Sequence, residues 1–245
     1  MIIYSNGCSH TFGHCVEKEE VWVNLIMKNL SKEYVSFNSN LFSFTENTII
    51  NENNIYINES RCGAGNDYIF HTSIESLTKL ITYNKKPNYV FIQWSGPNRR
   101  MHCLPNGEVK FVNPQDNVEY QVKFEPMGSE HTLHYIFLLQ EFLKKENIKY
   151  YFLNYMPLDN SIKFRSIYNE IDMNSFIDFG FGKDVLTTSI LEMIKGKGFS
   201  CDELGHPNKE GNEYQIDTDK LFNSSNLNTY ITGQNIVIDG GYTNV

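Results

Sequence analysis

The chain has 245 residues, room for one large domain with at most a small appendage and too little for two enzymes. Its 21 Lys and Arg against 29 Asp and Glu leave a formal charge of −8, which argues against a binder of phosphate backbones, whose contact face must be basic. With 40% hydrophobic and 14% aromatic residues the chain can bury a real core, which excludes a disordered polymer.

Residues 1–5 (MIIYS) form a short apolar run stopped at Asn6-Gly7, the pattern of a buried strand ending in a turn. From Val16 to Leu30, Val21, Val23, Leu25, Ile26 and Leu30 recur at near-helical spacing. Glu17, Glu19 and Glu20 stand where first-turn acids complement a helix dipole. Residues 32–52 show no clean period and receive no assignment. Asn54–Asn58 (NIYIN) reads as a second strand, broken by Arg61-Cys62-Gly63-Ala64-Gly65 and followed by a helix marked by Tyr68, Ile69, Ile74, Leu77, Leu80 and Ile81. Tyr89–Trp94 (YVFIQW) is a continuous apolar strand ending in Ser95-Gly96-Pro97-Asn98. Residues 102–127 interrupt the alternation. There GEVKFV and VEYQVKF flank the turn signal Asn113-Pro114-Gln115-Asp116, predicting a β-hairpin beside the loop end of the sheet. A helix over 129–146 leads to a strand at Tyr150–Asn154, then helical stretches near 161–173 and 183–195. Strands alternating with helices predict an α/β fold, a flavodoxin-like three-layer sandwich whose parallel sheet is covered on both faces.

In such a sheet ligands bind beyond the carboxyl ends of the strands. Three of those loops hold chemistry: Asn6-Gly7-Cys8-Ser9-His10 after the first strand, Gly63-Ala64-Gly65-Asn66 after the second, and Gly96-Pro97-Asn98-Arg99 after the third. A late segment adds Cys201-Asp202-Glu203-Leu204-Gly205-His206-Pro207. A serine hydroxyl becomes a good nucleophile when a base takes its proton and a carboxylate fixes the base's tautomer. Donors from Ser9 N–H, Gly63 N–H and the Asn98 amide can meet a developing oxyanion, and a backbone without Cβ at Gly63 admits substrate closely. Taken singly, Ser9 also suits a turn into a helix, Asp202 and Glu203 suit first-turn helix charges, and His206-Pro207-Asn208 suits a helix start.

These four blocks, in this order across residues 1–222, resemble the SGNH (GDSL-like) hydrolase family. The resemblance implies Ser9 as nucleophile, Gly63 and Asn98 in the oxyanion hole, and His206 as general base oriented by an acid just before it. For that acid, Asp202 matches the usual residue type and Glu203 the usual spacing, so both stand. Cys8 replaces the family's aspartate before the serine, and Arg99 replaces the aspartate of its third block. The expected activity is a serine esterase releasing an acyl group such as acetyl from a carbohydrate or other small metabolite. The alternatives are acyl transfer to another hydroxyl and a catalytically weak scaffold.

The five cysteines (Cys8, Cys15, Cys62, Cys103, Cys201) are scattered without CxxC spacing, which fits a reducing compartment. No basic leader with an apolar core opens the chain, and no run approaches about 18 apolar residues, so a soluble cytoplasmic protein without membrane or nucleic-acid partners is expected. His10 and His14 near Cys8 and Cys15, and His131 and His134 near Glu130, have spacings that a metal can use but match no specific zinc signature. No metal is expected. After Leu221 the composition turns polar, and Thr229–Thr243 (TYITGQNIVIDGGYT) resembles the closing segment of short-chain dehydrogenases. The glycine-rich cofactor loop and the Tyr/Lys pair of that family are missing, so no nicotinamide cofactor is expected. The domain reading is therefore a hydrolase-like unit over 1–222 and a tail over 223–245, with residues 226–245 expected to make a homo-oligomer contact.

Overall fold

The first apolar run becomes strand β1 (Ile2–Asn6), the centre of a five-stranded parallel sheet. The computed structural model describes residues 1–14, 16–17, 20–30, 35–38, 54–103, 109–112, 118–177, 184–202 and 205–215. Glu203 and the C-terminal stretch 226–245 lie outside them. The remaining elements in chain order are α1 (Ser9–Phe12), α2 (Trp22–Leu30), β2 (Val35–Asn38), β3 (Ile55–Asn58), α3 (Asn66–Thr82), β4 (Tyr89–Trp94), β5 (Arg100–Cys103), β6 (Val109–Val112), α4 (Val118–Lys145), β7 (Lys149–Asn154), three short 3₁₀ turns between Asn160 and Ser175, α5 (Ile190–Gly196) and α6 (Lys209–Gln215).

The sheet order is β2-β3-β1-β4-β7. Chain order reverses around β1: β3 pairs on one side of it and β4 on the other, both parallel. This is the switch point where open α/β sheets form their ligand crevice. Alternation along the strands splits the core in two. Tyr4, Ile55, Ile57, Val90, Ile92, Trp94 and Phe152 face Leu77, Leu80, Leu133, Ile136 and Leu139 of α3 and α4. Ile3, Tyr56, Phe91, Tyr151 and Leu153 face Trp22, Val23 and Ile26 of α2 and Ile190, Met193 and Ile194 of α5. Helices on both faces of the sheet make the expected three-layer sandwich. Each such aliphatic or aromatic side chain contributes about 1.5–3 kcal/mol on full burial.

Three local expectations change. The hairpin exists, but it pairs Arg100–Cys103 with Val109–Val112, so its turn falls before residues 113–116. The VEYQVKF segment is helical: α4 starts at Val118. A nucleated helix gains one hydrogen bond per added residue without a new nucleation cost, and that outweighs a seven-residue alternation. Helix α2 begins at Trp22 instead of Val16 and has no acid in its first turn. Glu20 instead accepts an ion pair from Lys209 at 3.0 Å, tying the segment before α2 to α6. The stretch near 161–173 forms 3₁₀ turns, not a continuous helix. Among the described residues no helix is long and apolar enough to cross a membrane.

Candidate active site

The loop after β1 is set by its glycines and by Asn6. A Cβ at Gly7 would meet Thr11 Oγ1 at 2.4 Å, so only glycine lets β1 turn sharply into the one-turn helix α1 and present Ser9 at its start. Asn6 fixes the departure point. Its Nδ2 donates to Thr72 Oγ1 at 2.7 Å and Ser73 Oγ at 3.1 Å, and its Oδ1 accepts from Gly7 N at 2.8 Å. Two more asparagines clamp neighbouring loops. Asn58 Nδ2 donates to Thr11 O at 2.9 Å. Asn66 takes Ser95 N–H on its Oδ1 at 2.6 Å and donates to Ser95 O at 3.1 Å. The loops after β1, β3 and β4 are thereby locked to one another. Sequence reasoning assigned no role to these three residues, although an asparagine closing β1, β2, β3 and β7 in turn is a visible signal.

Into this frame the C-terminal segment brings His206, which is 6% exposed, against Ser9, 4% exposed. His206 Nε2 lies 2.6 Å from Ser9 Oγ, and His206 Nδ1 lies 2.8 Å from Asp202 Oδ2. Asp202 Oδ1 also accepts the backbone N–H of His206 at 2.7 Å. A carboxylate on Nδ1 selects the tautomer with the proton there, which leaves the Nε2 lone pair to accept the Ser9 hydroxyl. The backbone turn is closed by Gly205 N to Asp202 O at 3.0 Å and Asp202 N to His206 O at 2.9 Å, with Gly205 in the left-handed region at φ +86°. Of the two acids read from sequence, Asp202 is the one seen on the imidazole.

Three donors on the loops after β1, β3 and β4 are unspent among the described residues. Ser9 N–H, at the start of α1, and Gly63 N–H, in a left-handed turn at φ +79°, donate to no described residue. Asn98 Oδ1 is buried without a partner, packed where a Cβ on Gly128 would lie 2.4 Å away, and Asn98 Nδ2 has no described acceptor. The hairpin borders this group: Phe111 of β6 packs edge-on to Tyr68 with centroids 5.1 Å apart and sits where a Gly63 Cβ would meet it at 3.6 Å.

Four neighbours complete the pocket. His10 is buried, 4.0 Å from the Tyr155 ring and 5.2 Å from His206 by centroids. Burial first, then the nearby His206 and Arg99, hold it well below the usual histidine range, so it stays neutral. Burial, with Cys8 next, pushes the Tyr155 phenol up and keeps it a neutral donor, 3.4 Å from Gly205 O. Arg99 donates from Nη1 to Ser95 Oγ at 3.1 Å. Cys8 is buried with its thiol 3.9 Å from Gln93 Oε1, which also accepts Thr11 Oγ1 at 2.6 Å.

The first histidine pair read from sequence gathers around His206, with His10 at 5.2 Å and His14 at 4.7 Å by ring centroids, and the second pair lies on α4. His134 Nδ1 lies 2.7 Å from its own helix carbonyl at Glu130. His14, exposed, lies against His206 with ring centroids 4.7 Å apart and planes tilted by 57°, and among the described residues the ligand atoms of His14, Asp202 and His206 all lie within 4.8 Å of one another.

No family model and no curated protein matches the chain. Among solved structures it is similar to the psychrotrophic esterase EstA from Pseudoalteromonas sp., with 14% identity and a TM-score of 0.47 over 94% of this chain and 98% of that one. It is similar also to an acetyl xylan esterase, AlAXEase, with 14% identity and a TM-score of 0.47 over 92% of this chain and 100% of that one. A member of the lipolytic G-D-S-L family from Veillonella parvula matches at 15% identity and a TM-score of 0.44 over 89% and 98%.

Proposed function

We propose that the chain is a serine esterase that removes an acyl group, such as acetyl, from a carbohydrate or other small-metabolite ester. The observation that carries this reading is the unbroken hydrogen-bond chain from Ser9 Oγ through His206 Nε2 and Nδ1 to Asp202, at 2.6 and 2.8 Å. As Ser9 Oγ attacks the ester carbonyl, its proton passes to His206 Nε2 and Asp202 stabilises the imidazolium. The carbonyl oxygen, now negative, is received by Ser9 N–H, Gly63 N–H and Asn98 Nδ2. Each donor in such a hole is worth about 10²- to 10³-fold in rate. Collapse of the tetrahedral intermediate expels the alcohol, which takes the proton from His206 and leaves the acyl group on Ser9. Water, activated by the same imidazole, releases the acid. An acceptor hydroxyl in place of water would make the same intermediate a transferase step.

The test is hydrolysis of p-nitrophenyl acetate by the wild type and by Ser9→Ala. The expected result is loss of turnover in the variant with folding unchanged by circular dichroism. Equal rates in both would remove Ser9 as the nucleophile.

A further inference from the structure

Arg99 takes no part in the mechanism above, although it directly follows Asn98 on the loop after β4. Its backbone is fixed: Arg99 N donates to Gly96 O at 3.2 Å, and a Cβ on Gly65 would meet Arg99 O at 2.6 Å. Its side chain turns back to the end of β4, where Nη1 donates at 3.1 Å to the buried Ser95 Oγ, and Ser95 is itself clamped by Asn66. The charge is felt at two rings of the pocket. After burial and His206 it keeps His10 neutral, and against burial and Cys8 it eases the upward push on the Tyr155 phenol. Those rings pack 4.0 Å apart by centroids, with His10 5.2 Å from His206, so the guanidinium stands on the His10 and Tyr155 side of the site. Half-buried, it has given up part of its hydration, a cost that an anionic partner offsets. Lys163, Arg165 and Lys209 each pair with a carboxylate, whereas among the described residues no carboxylate pairs with Arg99. Asp202, whose charge reaches the same two rings, is engaged on His206 through both oxygens. With Nη1 on Ser95, the Nε and Nη2 edge keeps two parallel N–H bonds, the arrangement that matches the two oxygens of a carboxylate.

We propose that Arg99 receives a carboxylate on the alcohol portion of the substrate, so that the ester cleaved is that of an acidic alcohol such as an acidic sugar. The proposal rests on the esterase reading: the acyl group there is small, and the carboxylate therefore belongs to the alcohol. Held by Arg99, one residue from the Asn98 amide, the alcohol portion is oriented while the ester carbonyl lies against Ser9. The pairing is made alike before and during the attack, so it acts on KM and decides which ester is bound, not how fast the bond breaks. A lysine carries the same charge without the planar fork and replaces it only in part.

The matched probes are 2-acetoxybenzoate, an acetyl ester with a carboxylate on an alcohol portion about the size of one sugar ring, and its neutral methyl ester. Wild type should prefer the anion by about tenfold or more in kcat/KM, the size of a hydrogen bond to a charged group, with the gain in KM. Arg99→Gln should bring that ratio to about one, and Arg99→Lys should leave it in between. No preference in wild type, or the same preference in Arg99→Gln, overturns the proposal. Binding is read apart from turnover by titration calorimetry with salicylate and its neutral amide. Wild type should bind salicylate about tenfold or more tighter than the amide, and Arg99→Gln should bind the two alike. If wild type cleaves neither ester yet tells salicylate from its amide through Arg99, the esterase reading fails and the carboxylate site stands. If it cleaves both esters equally well and binds salicylate no tighter than the amide, the carboxylate site fails and the esterase reading stands.

Discussion

Asp202 grips His206 twice, once through the backbone N–H and once through Nδ1, so a single short carboxylate fixes both the position of the ring and its tautomer. A glutamate one residue on has a longer arm, and it need not match a turn that Asp202 already closes with both oxygens. Asp202→Asn should keep the fold but favour the wrong tautomer, lowering kcat by about 10³- to 10⁴-fold with little change in KM, whereas Glu203→Gln should leave kcat as it is. Steady-state kinetics on p-nitrophenyl acetate decide this, and the opposite ranking would transfer the role to Glu203. A second residue-scale consequence concerns His10. Burial holds its folded pKa well below the ordinary histidine range, so as pH falls through that range the unfolded chain binds a proton that the folded one does not. Stability is therefore full above the unfolded value and is lost as pH falls toward the folded one. Melting temperature measured between about pH 7 and pH 5 should drop more steeply for wild type than for His10→Asn, the window set by an ordinary histidine. Parallel curves would show that His10 is protonated in the native state.

At the scale of elements, the site is a consequence of how parallel strands end. β1, β3 and β4 deliver their loops to one edge, and asparagine side chains bolt those loops together, so Ser9 and its neighbours ride on a held backbone. Gly7 is a tight point of this assembly. Gly7→Ala would drive a methyl to within 2.4 Å of Thr11 Oγ1, and overpacking of this kind costs about 1–3 kcal/mol while displacing Ser9. Urea denaturation should show the loss of stability, and kcat should fall further than stability alone explains; an unchanged kcat would mean that the turn relaxes without moving the serine. The buried strands were legible because their apolar runs have no helical reading. β2 was not, since the alternation of Val35 and Phe37 with Ser36 and Asn38 covers only four residues, too few to set a period. The hairpin was half legible: its second strand was seen, but its partner continues directly from the loop after β4, where the sequence suggests only a turn. The meeting of Ser9 with His206 was readable from motif and order. The clamps were not, because an asparagine side chain's partners lie up to 67 residues away in sequence.

For the molecule as a whole, the decisive contact spans 197 residues, from a loop after the first strand to a segment after the last. The two sides of that contact are not equally anchored. Ser9 follows the central strand of the sheet, with Ile3 and Tyr4 fully buried, whereas His206 rides on a short arm outside it. That arm is held by the bridge between Cys201 and Pro207, by Asn208 N to Ser200 O at 3.1 Å, by Asn212 Nδ2 to Pro207 O at 3.1 Å and by the exposed Lys209–Glu20 pair. Surface pairs of this kind contribute little, and segments with few buried apolar contacts open at free energies below the global value. Activity should therefore disappear before the fold does: in a urea titration the midpoint for p-nitrophenyl acetate turnover should precede the midpoint in far-ultraviolet circular dichroism. Weakening the arm by Lys209→Ala should widen that gap without moving the spectroscopic midpoint. If both midpoints coincide in wild type and variant alike, the arm unfolds with the sheet, and the distant halves of the site form one cooperative unit.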